Sequence, residues 1–244
     1  MKMKRWVFES GSVENMRDLG GYRAMGGMTK FDVVLRSDQL HGLSGDEKRW
    51  LISRGLTDVI DLRSDGECAV MPNDFEGNPD VAVHRVCGDP SKNVAQFSPS
   101  DFTCMGQMYL KLVDANGAQY TDMVRAVINA KGLTIVHCLA GKDRTGIVCA
   151  LLLGAVGVCE SDIVADYQTS GTYNKTHKMI DKYMERMGPD RPQYLMRSEP
   201  ENMEMLIAHF NQKYGGATAY LKANGLTDDE LLRLRDKFVG AVEW

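Results

Sequence analysis

Short apolar or β-branched runs recur along the first 140 residues and predict strands. They are "WVFES" (6–10), "DVVLRS" (32–37), "TDVIDLRS" (57–64), "VAVHRV" (81–86) and "LTIVHC" (133–138). Helical or irregular segments separate them, which predicts crossover connections and a mostly parallel sheet. One helix is predicted over "SGDEKRWLISRG" (44–55), with a capping box from Ser44 to Glu47 and Gly55 as its stop. Beyond residue 145 the pattern turns helical. "IVCALLLGAV" (147–156) is apolar on all sides and reads as a buried helix. Ser161 is the expected cap of a helix over "DIVADYQTS", and Ser198 with Pro200 opens another. Thr227 and Glu230 form a further capping box before "TDDELLRLRDKFVG". The expected fold is α/β, a central mostly parallel sheet flanked by helices, with a helical C-terminal half. No internal repeat divides the chain, so residues 1–244 are expected to form a single domain. Segment 171–197 is charged and less periodic, and suggests a helical insert.

Composition adds mainly exclusions. The 244 residues are 43% hydrophobic and 25% charged, with a net charge of −4. That balance has no basic footprint and argues against a nucleic-acid binder. The start, "MKMKRWVFES", has no apolar h-region behind its charges, and the longest uncharged apolar run, 146–159, is too short for a transmembrane segment. Six cysteines without a C-x-x-C spacing predict neither a disulfide framework nor a zinc site. The expectation is a cytoplasmic protein without metal or cofactor.

The candidate chemistry sits in "HCLAGKDRTG" (137–146), between an apolar strand and an apolar helix. Three adjacent charges there have no role in a core. A loop entering a helix aims successive unpaired N–H groups at one centre and forms an anion cradle. Leu139, Ala140, Gly141, Lys142, Thr145 and Gly146 would supply its frame, and Gly141 a tight backbone path. Arg144 adds a planar fork for two phosphate oxygens. Cys138 lies at the base of this positive pocket, which favours its thiolate. A thiolate beneath a bound phosphate is placed for in-line attack on phosphorus. Thr145 can hydrogen-bond the departing sulfur, and His137 orders the loop. A nucleotide P-loop is excluded because Lys142 is followed by Asp143 rather than Ser or Thr.

The stretch resembles the signature loop of the cysteine-dependent protein-tyrosine phosphatase superfamily, HCxxGxxR[ST]G, in its bacterial GKDRTG form. "ENMRDLGGYR" (14–23), "LRSDQL" (35–40), "TDVIDLRSDGE" (57–67) and "ENMEMLIAHFNQKYGGATAYLKANGLTDDELLRLRDKF" (201–238) resemble other motifs of that branch. The resemblance implies a phosphatase domain working through a phosphocysteine. Its expected partners are phosphotyrosyl proteins, with phosphoseryl/threonyl proteins or phosphoinositides as further substrates.

No Trp-Pro-Asp tripeptide is present to supply the general acid that leaving-group departure requires. Asp143 inside the loop is the preferred candidate, and Asp89 in "VCGDP" is the alternative. Lys142 reads either as an extra cation for polyanionic headgroups or as a plain surface lysine. Asp18, Arg36, Asp38 and Arg63 are expected to brace the loop. Sulfur transfer would not need Thr145, and arsenate reduction would need a resolving cysteine that Cys149, in an apolar helix, cannot supply. A catalytically inactive phosphate-recognition module is the rival reading. A reactive Cys138 also predicts reversible inactivation by peroxide.

Overall fold

A computed structural model describes residues 4–85, 99–174 and 192–241. The main sheet has five strands in the order β1-β4-β7-β5-β6. They are β1 (Arg17–Asp18), β4 (Val34–Ser37), β5 (Leu56–Asp61), β6 (Ala82–Arg85) and β7 (Leu133–His137). Strands β4, β7, β5 and β6 are parallel, and β1 closes the edge antiparallel to β4. The mostly parallel sheet expected from the runs is therefore present. The 6–10 run is not a strand; the chain there makes only an isolated bridge from Arg5 to Arg17. Its apolar residues instead pack Phe8 and Trp6 against Trp50.

Alternation along the strands builds two cores. Val34, Ile60 and Val136 face one side, and their neighbours Leu35, Val59 and Ile135 face the other. The second face is covered by α1 (Gly45–Ser53) through Leu51. Both expected capping boxes, Ser44–Glu47 and Thr227–Glu230, are formed. Gly55 ends the α1 turn at a left-handed φ of 91°. The first face carries α3 (Met105–Ala115), α4 (Gly117–Asn129), α5 (Asp143–Ala155), α6 (Glu160–Tyr173), α7 (Pro200–His209), α8 (Ala217–Ala223) and α9 (Asp228–Phe238). Each leucine that α5 buries contributes about 1.5–3 kcal/mol, and Leu151, Leu152 and Leu153 are all fully enclosed.

Several local expectations are corrected. Ser161 lies inside α6, whose cap is Cys159, and Glu199 rather than Ser198 caps α7. Neither cap makes a side-chain hydrogen bond, so backbone position set by packing overrides cap preference. A short helix α2 (Asp65–Val70) carries a third capping box, Ser64 with Glu67. A second antiparallel sheet joins β2 (Arg23–Ala24), β3 (Gly27–Thr29) and β8 (Val239–Gly240), tying the two ends of the chain. These strands are two or three residues long, too short for a hydrophobic period to register. Most of the expected insert 171–197 lies outside the described residues.

Candidate active site

Strand β7 runs through the middle of the parallel sheet, with His137 paired to Ser37 on one side and Asp61 on the other. Cys138 follows at the carboxyl end of this strand, the edge where open α/β sheets hold their ligands. It is 2% exposed. Residues 139–142 then turn over the sheet edge into α5, whose first residue is Asp143.

The loop is held from outside by its carbonyl oxygens. The backbone N–H of Gln39 donates to Leu139 O at 3.0 Å. Asn15 Nδ2 donates to Ala140 O at 2.9 Å, Asn174 Nδ2 donates to the same oxygen at 3.0 Å, and Arg36 Nη2 donates to Gly141 O at 2.7 Å. In a trans peptide the carbonyl and the next N–H point opposite ways, and no peptide here is cis. Pulling these three oxygens outward therefore turns the amides of Ala140, Gly141 and Lys142 inward. The first bond of the helix is Gly146 N–H to Lys142 O, which leaves the preceding amides without an intrahelical acceptor. A concave set of N–H donors results at the positive end of α5.

Gly141 is required twice over. Its φ is +63°, and a Cβ there would stand 2.4 Å from Ser37 O and 2.6 Å from Asp38 N.

Arg144 is anchored by Glu67. Its Nη1 and Nη2 donate to the two carboxylate oxygens at 2.7 Å each, and Nη1 also reaches Leu62 O at 3.0 Å. Burial opposes ionisation of Glu67, yet the Arg144 guanidinium holds its carboxyl below the usual range. Thr145 Oγ1 is buried and has no hydrogen-bond partner among the described residues. Asp143 accepts from the Tyr109 hydroxyl at Oδ1, with Lys142 Nζ 3.3 Å away.

His137 is enclosed. Its Nε2 lies 2.9 Å from Asn73 Nδ2 and 3.4 Å from Asp61 Oδ2, and its Nδ1 lies 3.2 Å from Cys138 O. Arg63 forms a two-pronged pair with Asp61 at 2.9 and 2.7 Å. Burial would raise the Asp61 carboxyl, but His137 and Arg63 together hold it far below its ordinary value.

Arg36 and Arg17 both reach Asp166 of α6, Arg17 Nε at 2.8 Å, in a fully buried cluster. Asp38 accepts the amides of Glu14 and Asn15 at 2.9 and 3.0 Å and so fixes the Asn15 clamp. Asp18 is not brought to the loop. It caps the turn below β1 by accepting from Gly20 N and Asp32 N. Asp89 lies outside the described residues. Lys142 does not present a free cation: it is 3% exposed, and its ammonium donates to Leu195 O at 2.6 Å and Arg197 O at 3.1 Å. Burial pushes the Cys149 thiol up to about 12, in keeping with an inert core cysteine. Among the described residues no cluster of three His, Cys, Asp or Glu side chains can hold a metal ion, and no helix is long and apolar enough to cross a membrane.

Sequence reasoning missed Glu67, Asn15, Asn174, Asp166 and Tyr109. Of these only Glu67 carried a local signal, the Ser64–Glu67 capping spacing, and that spacing speaks of a helix start rather than of Arg144.

The chain is similar to known phosphatases. A model described as "Tyrosine phosphatase family" matches residues 8–240. A tyrosine-protein phosphatase of Nostoc commune is 27% identical over 215 residues, covering 84% of this chain and 73% of its own. The triple specificity protein phosphatase PtpB of Mycobacterium tuberculosis is 25% identical over 250 residues, covering 85% of this chain and 91% of its own. Among solved structures, P. aeruginosa TpbA aligns over 84% of this chain and 96% of its own at 14% identity, with a TM-score of 0.38.

Proposed function

The chain belongs to the tyrosine phosphatase family, and on that premise we propose that it hydrolyses phosphotyrosine in proteins through a phosphocysteine formed on Cys138. Residues 1–244 act as one phosphatase domain in this reading. The observation that carries it is the clamping of the Leu139, Ala140 and Gly141 carbonyls, which supports an inward turn of the amides that follow them, next to Cys138.

The phosphate dianion of the ester sits in that amide cradle, with the Arg144 guanidinium oriented by Glu67 against its equatorial oxygens. The Cys138 thiolate attacks phosphorus in line, forming the S–P bond as the P–O bond to tyrosine breaks. Asp143 gives a proton to the departing phenolate oxygen. Water then attacks the phosphocysteine, its proton passing to the Asp143 carboxylate, and the S–P bond breaks to release inorganic phosphate. Thr145 Oγ–H, otherwise unpartnered, stabilises the thiolate as it departs. His137, held by Asn73 and bonded to Cys138 O, keeps the nucleophile at the strand end.

The commitment of Lys142 to the carbonyls of 195 and 197 favours a single phosphate ester over a polyphosphorylated inositol headgroup. The name of the Mycobacterium tuberculosis relative, a triple specificity protein phosphatase, supports a second, broader reading in which the substrates extend beyond phosphotyrosine.

The test is phosphate release from a phosphotyrosyl peptide and from a soluble phosphoinositide, in chelator, for wild type and Cys138→Ser. Turnover of the peptide that disappears in the variant is expected. Turnover that survives in Cys138→Ser overturns the cysteine mechanism, and phosphate binding without turnover in wild type favours a recognition module.

A further inference from the structure

Asp143 stands at the end of a chain of hydrogen bonds that crosses three helices. The Tyr109 hydroxyl of α3 donates to Asp143 Oδ1, and the Tyr167 oxygen of α6 is 2.8 Å from the Tyr109 oxygen. Behind Tyr167 lies Asn202 of α7, whose side chain acts on the phenol electrostatically. Asn202 Oδ1 accepts the Gly106 amide at 2.9 Å, so the group it offers Tyr167 is its NH2.

The direction of every donor follows. Tyr109 gives to the carboxylate, so Tyr167 gives to Tyr109, and Asn202, its oxygen held by Gly106 N–H, has its NH2 left for Tyr167. Each phenol has a single proton, and reversing any link leaves two donors or two acceptors facing each other. Both rings are buried. Burial and the Asp143 carboxylate push the Tyr109 phenol well above its ordinary range, so it stays a neutral donor.

We propose that Tyr109, backed by Tyr167 and Asn202, is the positioning residue for the general acid, reserving Asp143 Oδ1 as an acceptor so that the transferable proton resides on Oδ2. This rests on the role given to Asp143 in the proposed function. In the first half-reaction Oδ2–H goes to the leaving oxygen; in the second, Oδ2 takes the proton of the attacking water. Oδ1 stays bonded to Tyr109 throughout, so the carboxyl does not have to rotate between the two halves.

The test compares kcat/KM for wild type, Tyr109→Phe, Asp143→Asn and the double variant on two aryl phosphates. Phenyl phosphate needs its leaving oxygen protonated, and 2,4-dinitrophenyl phosphate does not. Tyr109→Phe is expected to lose about 10–30-fold on phenyl phosphate and less than about threefold on the dinitrophenyl ester, a fraction of what a general acid supplies. The double variant is expected to be no slower than Asp143→Asn, because the two residues act as one unit. An equal loss on both esters, or no loss on phenyl phosphate, overturns the proposal and leaves the phosphatase mechanism standing. An Asp143→Asn variant without leaving-group dependence overturns the acid assignment itself and this inference with it. If Tyr109→Phe does not fold, Tyr167→Phe makes the same discrimination, with an expected loss of about three- to fivefold confined to phenyl phosphate.

Discussion

Glu67 grips Arg144 with both carboxylate oxygens, 2.7 Å from each terminal guanidinium nitrogen. The two residues are 77 positions apart and come from α2 and α5. The same Glu67 closes the capping box of α2 through Ser64, so one side chain fixes both a helix start and the arginine proposed to bind phosphate.

Glu67→Gln is expected to lower kcat/KM on phosphotyrosyl peptide by about tenfold, since a hydrogen bond to a charged group contributes about 1.5–3 kcal/mol. The Glu67 carboxyl is held below its ordinary 4.5, so the pair is intact above that pH and is lost as pH falls through the depressed value. Steady-state kinetics across pH 4–7 check both points. An unchanged kcat/KM in Glu67→Gln would show that Arg144 orients itself without its partner.

Gly141→Ala should abolish turnover, a loss of at least about 100-fold. The new Cβ meets backbone atoms of Ser37 and Asp38, which cannot swing aside as a side chain would. A left-handed φ adds about 1–2 kcal/mol for any residue with a Cβ. Phosphate-dependent protection against thermal unfolding should disappear together with activity, and differential scanning fluorimetry with and without phosphate reads this directly.

Thr145→Val separates stability from catalysis. Its hydroxyl is buried without a partner, so removing it should leave the melting temperature unchanged or raise it slightly. Hydrolysis of the phosphocysteine should slow about tenfold, giving a burst of phenol release ahead of steady-state phosphate. Rapid-quench kinetics without a burst would remove Thr145 from the second step.

Asp18 supplies a pH test remote from the loop. Burial raises its carboxyl from 3.8 to about 6. The folded protein therefore holds this proton more tightly than the unfolded chain, and stability rises as pH falls through 6 toward 3.8. Wild type is expected to gain about 1 kcal/mol between pH 7 and pH 5 in urea titrations. Asp18→Asn should lose that gain and start from lower stability, because Gly20 N and Asp32 N donate to different carboxylate oxygens and the NH2 that replaces one of them cannot accept. A gain that persists in the variant would assign the effect to another group.

The parts of this protein legible in the sequence are those whose cause is local. Alternating apolar residues at Val34–Leu35 and Ile135–Val136 announce a two-faced sheet because successive side chains on a strand point opposite ways. The Ser44–Glu47 and Thr227–Glu230 boxes announce helix starts because both partners lie within one turn. "HCLAGKDRTG" announces its chemistry because nucleophile, cradle and arginine share ten consecutive residues. What surrounds that loop came only with tertiary structure. The Arg36 bond to Gly141 O spans 105 positions, and the Asn15 bond to Ala140 O spans 125. Lys142, read from the sequence as a cation for substrate or a surface residue, is drawn by packing onto the carbonyls of Leu195 and Arg197. Tyr109 has no partner near it in sequence, and only the approach of α3, α5 and α6 gives its hydroxyl a carboxylate. The periodicity of a chain records which face of an element is dry. It carries no record of which distant polar group will be waiting there, because that depends on how the elements cross.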